Sequence, residues 1–374
     1  MTSPRIPVCE PSLDGNELAY VTDAVRSGWI SSGGDYLKRF EEGFAAYVGV
    51  VHGIGTTNGT TALHLALAAL GIGPGDEVII PDFTMIASAF AVCYCGAMPV
   101  FVDADPETWN IDVAQVAERI GPRTKAIMAV HIYGHPTDMD PLLALAKERR
   151  IVVLEDAAEA HGAAYKGRRC GSLGALAAFS FYANKAITTG EGGMVVTNDA
   201  GLAEECRSLR NLAFPRTGGR VYRHDRIGFN YRMSNLQGAL GLAQLERIDV
   251  YVDARRAHAA RYNERLAGVA AVQLPVERPW ARNSYWMYGI VLRDDAPVGR
   301  DELASRLASD GIETRPFFQP MHSQPALIRY GADASGPYPA SDRLAARGLY
   351  LPSGSDLSDD DIDCVADRIA RQLT

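Results

Sequence analysis

Glu77–Asp103 reads EVIIPDFTMIASAFAVCYCGAMPVFVD. The apolar run Glu77–Pro81 is too short for a helix and reads as a buried strand. Ile86–Gly96 carries a helical pattern, and Met98–Asp103 is apolar and strand-like again. The alternation continues outward. A helix is expected over Ile111–Ile120, a strand over Lys125–Tyr133 and a helix over Asp138–Arg149. Further strands are expected at Ile151–Asp156, Ala178–Tyr182 and Met194–Asn198. Apolar strands separated by helices predict a mostly parallel sheet covered on both faces, with ligands gathered at the carboxyl ends of its strands.

Past Asn235 a helical pattern runs from Leu236 to about Leu266 and reads as a spine between two domains. The remainder mixes strands such as Tyr285–Leu292 with helices such as Arg300–Ser309 and Asp359–Leu373. The expected division is a large domain over 1–250 and a small α+β domain over 251–374.

With 374 residues, 47% apolar composition and net charge −8, the chain supports a large core without staples. It has no basic block to engage nucleic acid or an anionic membrane. No positive, then apolar, leader precedes Pro11, and no apolar run spans a bilayer, so the expected compartment is the cytoplasm. Six scattered cysteines lack a C-x-x-C pair and are expected to be reduced. His131 and His135 are four apart, but Gly134 and Pro136 break any helix that would align them for a metal; none is expected.

Two segments carry the chemistry. Glu155-Asp156-Ala157-Ala158-Glu159-Ala160-His161 closes one strand. Ser180-Phe181-Tyr182-Ala183-Asn184-Lys185 follows another, and Thr188-Thr189-Gly190-Glu191-Gly192-Gly193 comes next. A lone lysine is ordinarily a surface residue. Set after a strand and about thirty residues beyond a strand-ending acid, it matches what pyridoxal phosphate (PLP) requires: an amine for its aldehyde and an acid for its ring nitrogen. Thr57-Asn58-Gly59-Thr60-Thr61 precedes the helix-forming run Ala62–Leu70. Asn58 is a candidate N-cap, and the free N–H groups behind it suit a phosphate, although simple capping explains the same residues. Ser180 adds a hydroxyl. Gly71-Ile72-Gly73-Pro74-Gly75 follows a helix and contains proline, so it reads as a turn and not a dinucleotide loop.

These stretches resemble the DegT/DnrJ/EryC1/StrS sugar aminotransferases, within the aspartate aminotransferase-like (fold-type I) PLP enzymes. The resemblance runs nearly end to end. It also includes Trp29-Ile30-Ser31-Ser32-Gly33, Gly73-Pro74-Gly75-Asp76-Glu77-Val78 and Gly228-Phe229-Asn230-Tyr231-Arg232-Met233. Residues 187–193 and Pro320-Met321-His322 resemble the perosamine synthase-like subgroup, which aminates C4 of GDP-4-keto-6-deoxymannose. The resemblance implies a mostly parallel, mixed seven-stranded sheet and a homodimer with shared active sites. It also implies L-glutamate as amino donor and a nucleotide-linked keto sugar as acceptor.

It further implies residue roles. Lys185 would hold the cofactor and shuttle protons, and Asp156 would pair with the ring nitrogen. Glu159 would approach the phenolic oxygen, where many relatives carry glutamine. Gly59, Thr60 and Ser180 would bind phosphate, joined by Asn235 of the second subunit. Met85 falls where an aromatic residue usually covers the ring, and Phe83 is a neighbour that would or would not compensate. Candidates for substrate are Trp29, Ser31, Tyr182, Arg232, Arg315 and His322, with core packing an equal reading for Trp29 and Tyr182 and a structural role the ordinary one for His322. In a dehydratase branch histidine replaces the lysine, so Lys185 favours amino transfer. Transfer to another keto sugar or a cyclitol, dehydration, or a non-catalytic regulator on the same fold are the alternatives.

Overall fold

The computed structural model describes residues 6–214 and 222–373. Seven strands form the main sheet, in the spatial order His52–Thr56, Gly193–Thr197, Leu176–Ser180, Val152–Asp156, Thr124–Val130, Glu77–Pro81, Met98–Val102. Six run parallel; Gly193–Thr197 alone runs against its neighbours. The carboxyl ends Thr56, Pro81, Val130, Asp156 and Ser180 therefore point the same way, and Gly193 begins the reversed strand at that edge.

Both faces are buried, as the unbroken apolar strands require. Ile80, Met128, Leu154 and Ala178 pack into one cluster with the Gly59–Ala69 helix. Ile79, Ile127, Ala129 and Val153 face the other side, under Met139 and Leu142 of the Met139–Arg149 helix. Each fully buried large apolar side chain is worth roughly 1.5–3 kcal/mol. The sheet edge near the amino terminus is closed by Phe40 and Phe44 of the Asp35–Val48 helix against Phe179 and Phe181.

A second sheet, Val272–Gln273, Gly289–Leu292, Gly348–Tyr350 and Arg315–Pro316, is antiparallel throughout. It packs with Tyr262 and Leu266, and with Ile362, Val365 and Ile369 of the Asp359–Leu373 helix.

Several boundaries differ from expectation. The Leu236–Leu266 pattern is two helices, Asn235–Leu245 and Ile248–Leu266. The break falls at Arg247 (φ −118°, ψ 6°), whose guanidinium pairs with Asp14 at 3.0 Å, while Glu246 accepts hydrogen bonds from Asn16 and Tyr20. The amino-terminal segment packs on the chain at this break. The Lys125–Tyr133 strand stops at Val130, because His131–Gly134 turns sharply with Tyr133 at φ 52°. Ala178–Tyr182 is shifted to Leu176–Ser180, and Tyr285–Leu292 shortens to Gly289–Leu292 behind a left-handed Tyr285. The strand His52–Thr56 has a glycine-rich sequence with little apolar signal.

Candidate active site

A cavity of about 430 Å³ opens at the carboxyl ends of the parallel strands, lined by residues from both sheets. Its first wall is the start of the Gly59–Ala69 helix. The Asn58 side chain accepts from Thr61 N at 2.9 Å, and Asn58 N donates to Thr61 Oγ1 at 3.1 Å, a complete capping box. The helix ladder starts with Ala62 N to Asn58 O. The N–H groups of Gly59 and Thr60 therefore have no partner among the described residues, and both residues line the cavity. A Cβ on Gly59 would lie 2.7 Å from Ser180 Cβ, so only glycine lets the helix end meet the strand end.

The acid lies deeper. Asp156 Oδ2 accepts from Ser88 Oγ at 2.8 Å, and Oδ1 from Ala158 N at 3.2 Å. Thr84 Oγ1 is 3.0 Å from Ser88 Oγ. With Ser88 donating to the carboxylate, Thr84 donates to Ser88, which gives a directed chain from Thr84 through Ser88 to Asp156. Burial pushes the Asp156 pKa up, and the Ser88 hydroxyl, the Ala158 N–H and Lys185 pull against it.

Lys185 occupies the third wall. Its Nζ stands 3.7 Å from Glu159 Oε1 and 3.7 Å from the centroid of the Trp286 ring. Burial holds the amine below its ordinary pKa, opposed by Glu159 and Asp156. Glu159 accepts from Tyr133 N at 2.8 Å, and burial raises its carboxyl, with Lys185 opposing. His161, behind these groups among Phe44, Phe179 and Phe181, is held down to about 3 by burial and is neutral near pH 7.

These features fit PLP in kind. Unpartnered N–H groups at a helix start and a seryl hydroxyl suit a phosphate dianion; a buried, hydrogen-bonded acid suits a protonated ring nitrogen; a desolvated amine suits an aldehyde. No cluster of metal-binding side chains occurs among the described residues.

Comparison with known proteins gives the same reading. The model of the DegT/DnrJ/EryC1/StrS aminotransferase family matches residues 11–370. The chain belongs to that family. Its members are PLP-dependent aminotransferases, and so is this chain. It is similar to GDP-perosamine synthase of Caulobacter vibrioides, 49% identical over 363 residues, covering 97% of this chain and 96% of that protein. The GDP-perosamine synthase of Vibrio cholerae is 44% identical over 357 residues, 96% of either chain. Among solved structures, S. venezuelae DesV in complex with a ketimine intermediate superposes with a TM-score of 0.89 at 39% identity, covering 95% of this chain and 94% of that one.

The family fold brings Gly59, Thr60, Met85, Asp156, Glu159, Ser180, Tyr182 and Lys185 to one cavity. Other expected residues lie elsewhere. Asn235 is 1% exposed, and its amide bonds inside its own chain, accepting from Leu37 N and donating to Trp29 O. It anchors the 29–37 turn of its own chain, leaving the second N–H of the amide without a bond among the described residues. Trp29 borders a separate groove with Lys38, Glu41 and Arg210, and Ser31 only lends its carbonyl to Asn235 N. Arg232 donates to Asn211. Arg315 pairs with Glu313 and lies opposite Tyr350, a cavity residue, across the small sheet. His322 is outside the cavity lining: it binds Asp82 through ring and backbone and stacks on Tyr338. Phe83 does not compensate for Met85, since it is fully buried among Tyr133, Phe317 and Phe318.

Sequence reasoning missed Ser88, Asn184, Trp286, Phe318 and Tyr350. Ser88 had a signal, the one serine in the apolar helix Ile86–Tyr94. Trp286 had none, because it reaches Lys185 across 100 residues of chain.

Proposed function

We propose that this aminotransferase moves the amino group of L-glutamate to C4 of GDP-4-keto-6-deoxymannose, with Lys185 as the reacting amine. The observation that carries the residue assignment is the convergence of Lys185, Asp156 and the Gly59 helix start on one cavity. The 49% identity to a GDP-perosamine synthase over nearly the whole chain supports the sugar.

When bound, PLP supplies an aldehyde for amine exchange and an electron-accepting ring. Gly59, Thr60 and Ser180 would hold its phosphate, and Asp156 would keep its ring nitrogen protonated. Desolvation favours the neutral form of Lys185, whose Nζ takes the proton from the α-carbon of glutamate and later delivers one to the sugar carbon that was the ketone. Glu159, fixed by Tyr133 N, stands 3.7 Å from that amine, where burial raises its own carboxyl. Met85 and Tyr182, at the cavity and each about half exposed, line the approach for the sugar.

The exposed apolar side chains Leu18, Val25, Trp29 and Ile30 support a homodimer that covers this face. Six free cysteines and a nucleotide-sugar substrate support a cytoplasmic setting. A domain boundary near residue 250 is supported by the packing of the Ile248–Leu266 helix, whose early turns meet the large core and whose later turns meet the small one.

The test has two parts. Protein mixed with PLP should develop a visible absorbance band that shifts when glutamate is added. Turnover is then measured on GDP-, dTDP- and UDP-linked 3- and 4-keto-6-deoxy sugars. Preference for a dTDP or UDP sugar would overturn the substrate, and the absence of any glutamate-dependent shift would overturn the donor.

A further inference from the structure

Arg255, in the Ile248–Leu266 helix, is 3% exposed, yet its hydrogen bonds among the described residues all go to neutral groups. A buried cation without a facing carboxylate is costly unless every donor is engaged. Here the donors reach three separate segments. Nη1 donates to Trp286 O at 2.7 Å and Ser353 O at 2.8 Å, Nε to Ser355 Oγ at 3.2 Å, and Nη2 to Cys9 Sγ at 3.4 Å.

Two of these contacts lead to the same place. The Trp286 indole N–H donates to Asn184 O at 2.8 Å, and the Cys9 thiol donates to that carbonyl at 3.5 Å. Asn184 directly precedes Lys185, and the Trp286 ring lies under the Lys185 amine at 3.7 Å. The guanidinium thus fixes both the ring on which the amine rests and the peptide from which the lysine springs.

We propose that Arg255 is a positioning residue for Lys185, acting through Trp286 and through the Cys9–Asn184 contact. The proposal rests on the assignment of Lys185 as the reacting amine. A planar fork of five donors meets the four partners at once, whereas the ammonium of lysine at 255 carries three donors on one atom. The charged or titratable groups acting on the Lys185 amine are Glu159, Asp156 and Arg255; His161 stays neutral. Replacing Arg255 by lysine keeps a basic side chain of similar length and removes the planar fork.

The experiment uses the cofactor-free protein, reductively methylated with 13C-formaldehyde. The chain has five lysines, and Lys38, Lys125, Lys147 and Lys166 are exposed, so the Lys185 methyl signal stands apart. Lys185→Met identifies it by its disappearance. Shielding by the Trp286 ring moves that signal upfield. Arg255→Lys adds a lysine amine of its own, assigned in the Arg255→Lys/Lys185→Met double variant, and is expected to remove at least half of this displacement while the other four native lysine signals stay in place. PLP should also dissociate faster from this variant than from the native protein. An unmoved Lys185 signal in folded Arg255→Lys would mean that Arg255 serves packing alone and would overturn the proposal. If that variant does not fold, Ser355→Ala removes one bond to the guanidinium. It should shift the signal less, in the same direction, and no shift there overturns the proposal equally. Failure of the Lys185 assignment shows separately, as an unchanged visible band when Lys185→Met is mixed with PLP.

Discussion

The two ends of the cavity are built differently. The helix-start end joins neighbours in sequence: Asn58 caps Thr61, and Gly59 yields room to one strand end. The lysine end joins strangers: Lys185 meets Trp286 from the far half of the chain, and Trp286 is held by Arg255. Local turn chemistry makes the first end, and tertiary packing makes the second. Perturbations should therefore stay local at the helix start and spread at the lysine.

The largest effect tests the lysine end directly. Lys185→Ala should lower turnover by ~10²–10⁴-fold, the usual scale for a lost general base, with cofactor retained by its phosphate contacts. Loss of cofactor in step with activity would show that the two ends are one unit. Gly59→Ala comes next. Its Cβ would press on Ser180 Cβ at 2.7 Å, and overpacking of this kind costs about 1–3 kcal/mol. We expect ~5–100-fold weaker PLP binding by equilibrium titration, with the spectrum of the bound fraction unchanged.

Ser88→Ala sits between the two ends. It removes the 2.8 Å donor that lowers the Asp156 pKa, so that pKa must rise further above its ordinary value. The acid limb of the pH–rate profile should then move to higher pH. A lost hydrogen bond to a charged group costs about 1.5–3 kcal/mol, which is roughly ten- to a hundredfold in cofactor affinity. An acid limb that stays put would dissociate Ser88 from the ring nitrogen's partner. The smallest effect is expected for Asn58→Ala, about 1 kcal/mol of stability from the lost cap, read as a lower midpoint of thermal unfolding. A change in the visible band of that variant would break the separation between the ends.

The same contrast explains what the sequence disclosed. Asn58-Gly59-Thr60-Thr61 announces a capped helix start because its partners lie within four residues. Glu77–Pro81 and Val152–Asp156 are legible as strands because both faces are buried. The strand His52–Thr56 carries too few large apolar residues to register. The helix break at Arg247 meets Asp14, over 230 positions away, a contact that no local pattern contains. Trp286 and Arg255 were hidden for the same reason. Asn235 shows the same limit, since its own-chain partners Leu37 and Trp29 lie about 200 positions away.

The reversed strand Gly193–Thr197 has a final consequence. Its neighbour Leu176–Ser180 ends at the cavity where it begins, so the segment between them leaves and returns at one edge. Phe181 N bonds Gly192 O, and Thr189 N bonds Phe181 O, which staples the base of that segment. Lys185 rides on a closed handle, and its backbone surrenders its freedom when the sheet forms, before any ligand arrives. The ordering entropy of the reacting residue thus belongs to folding and not to binding.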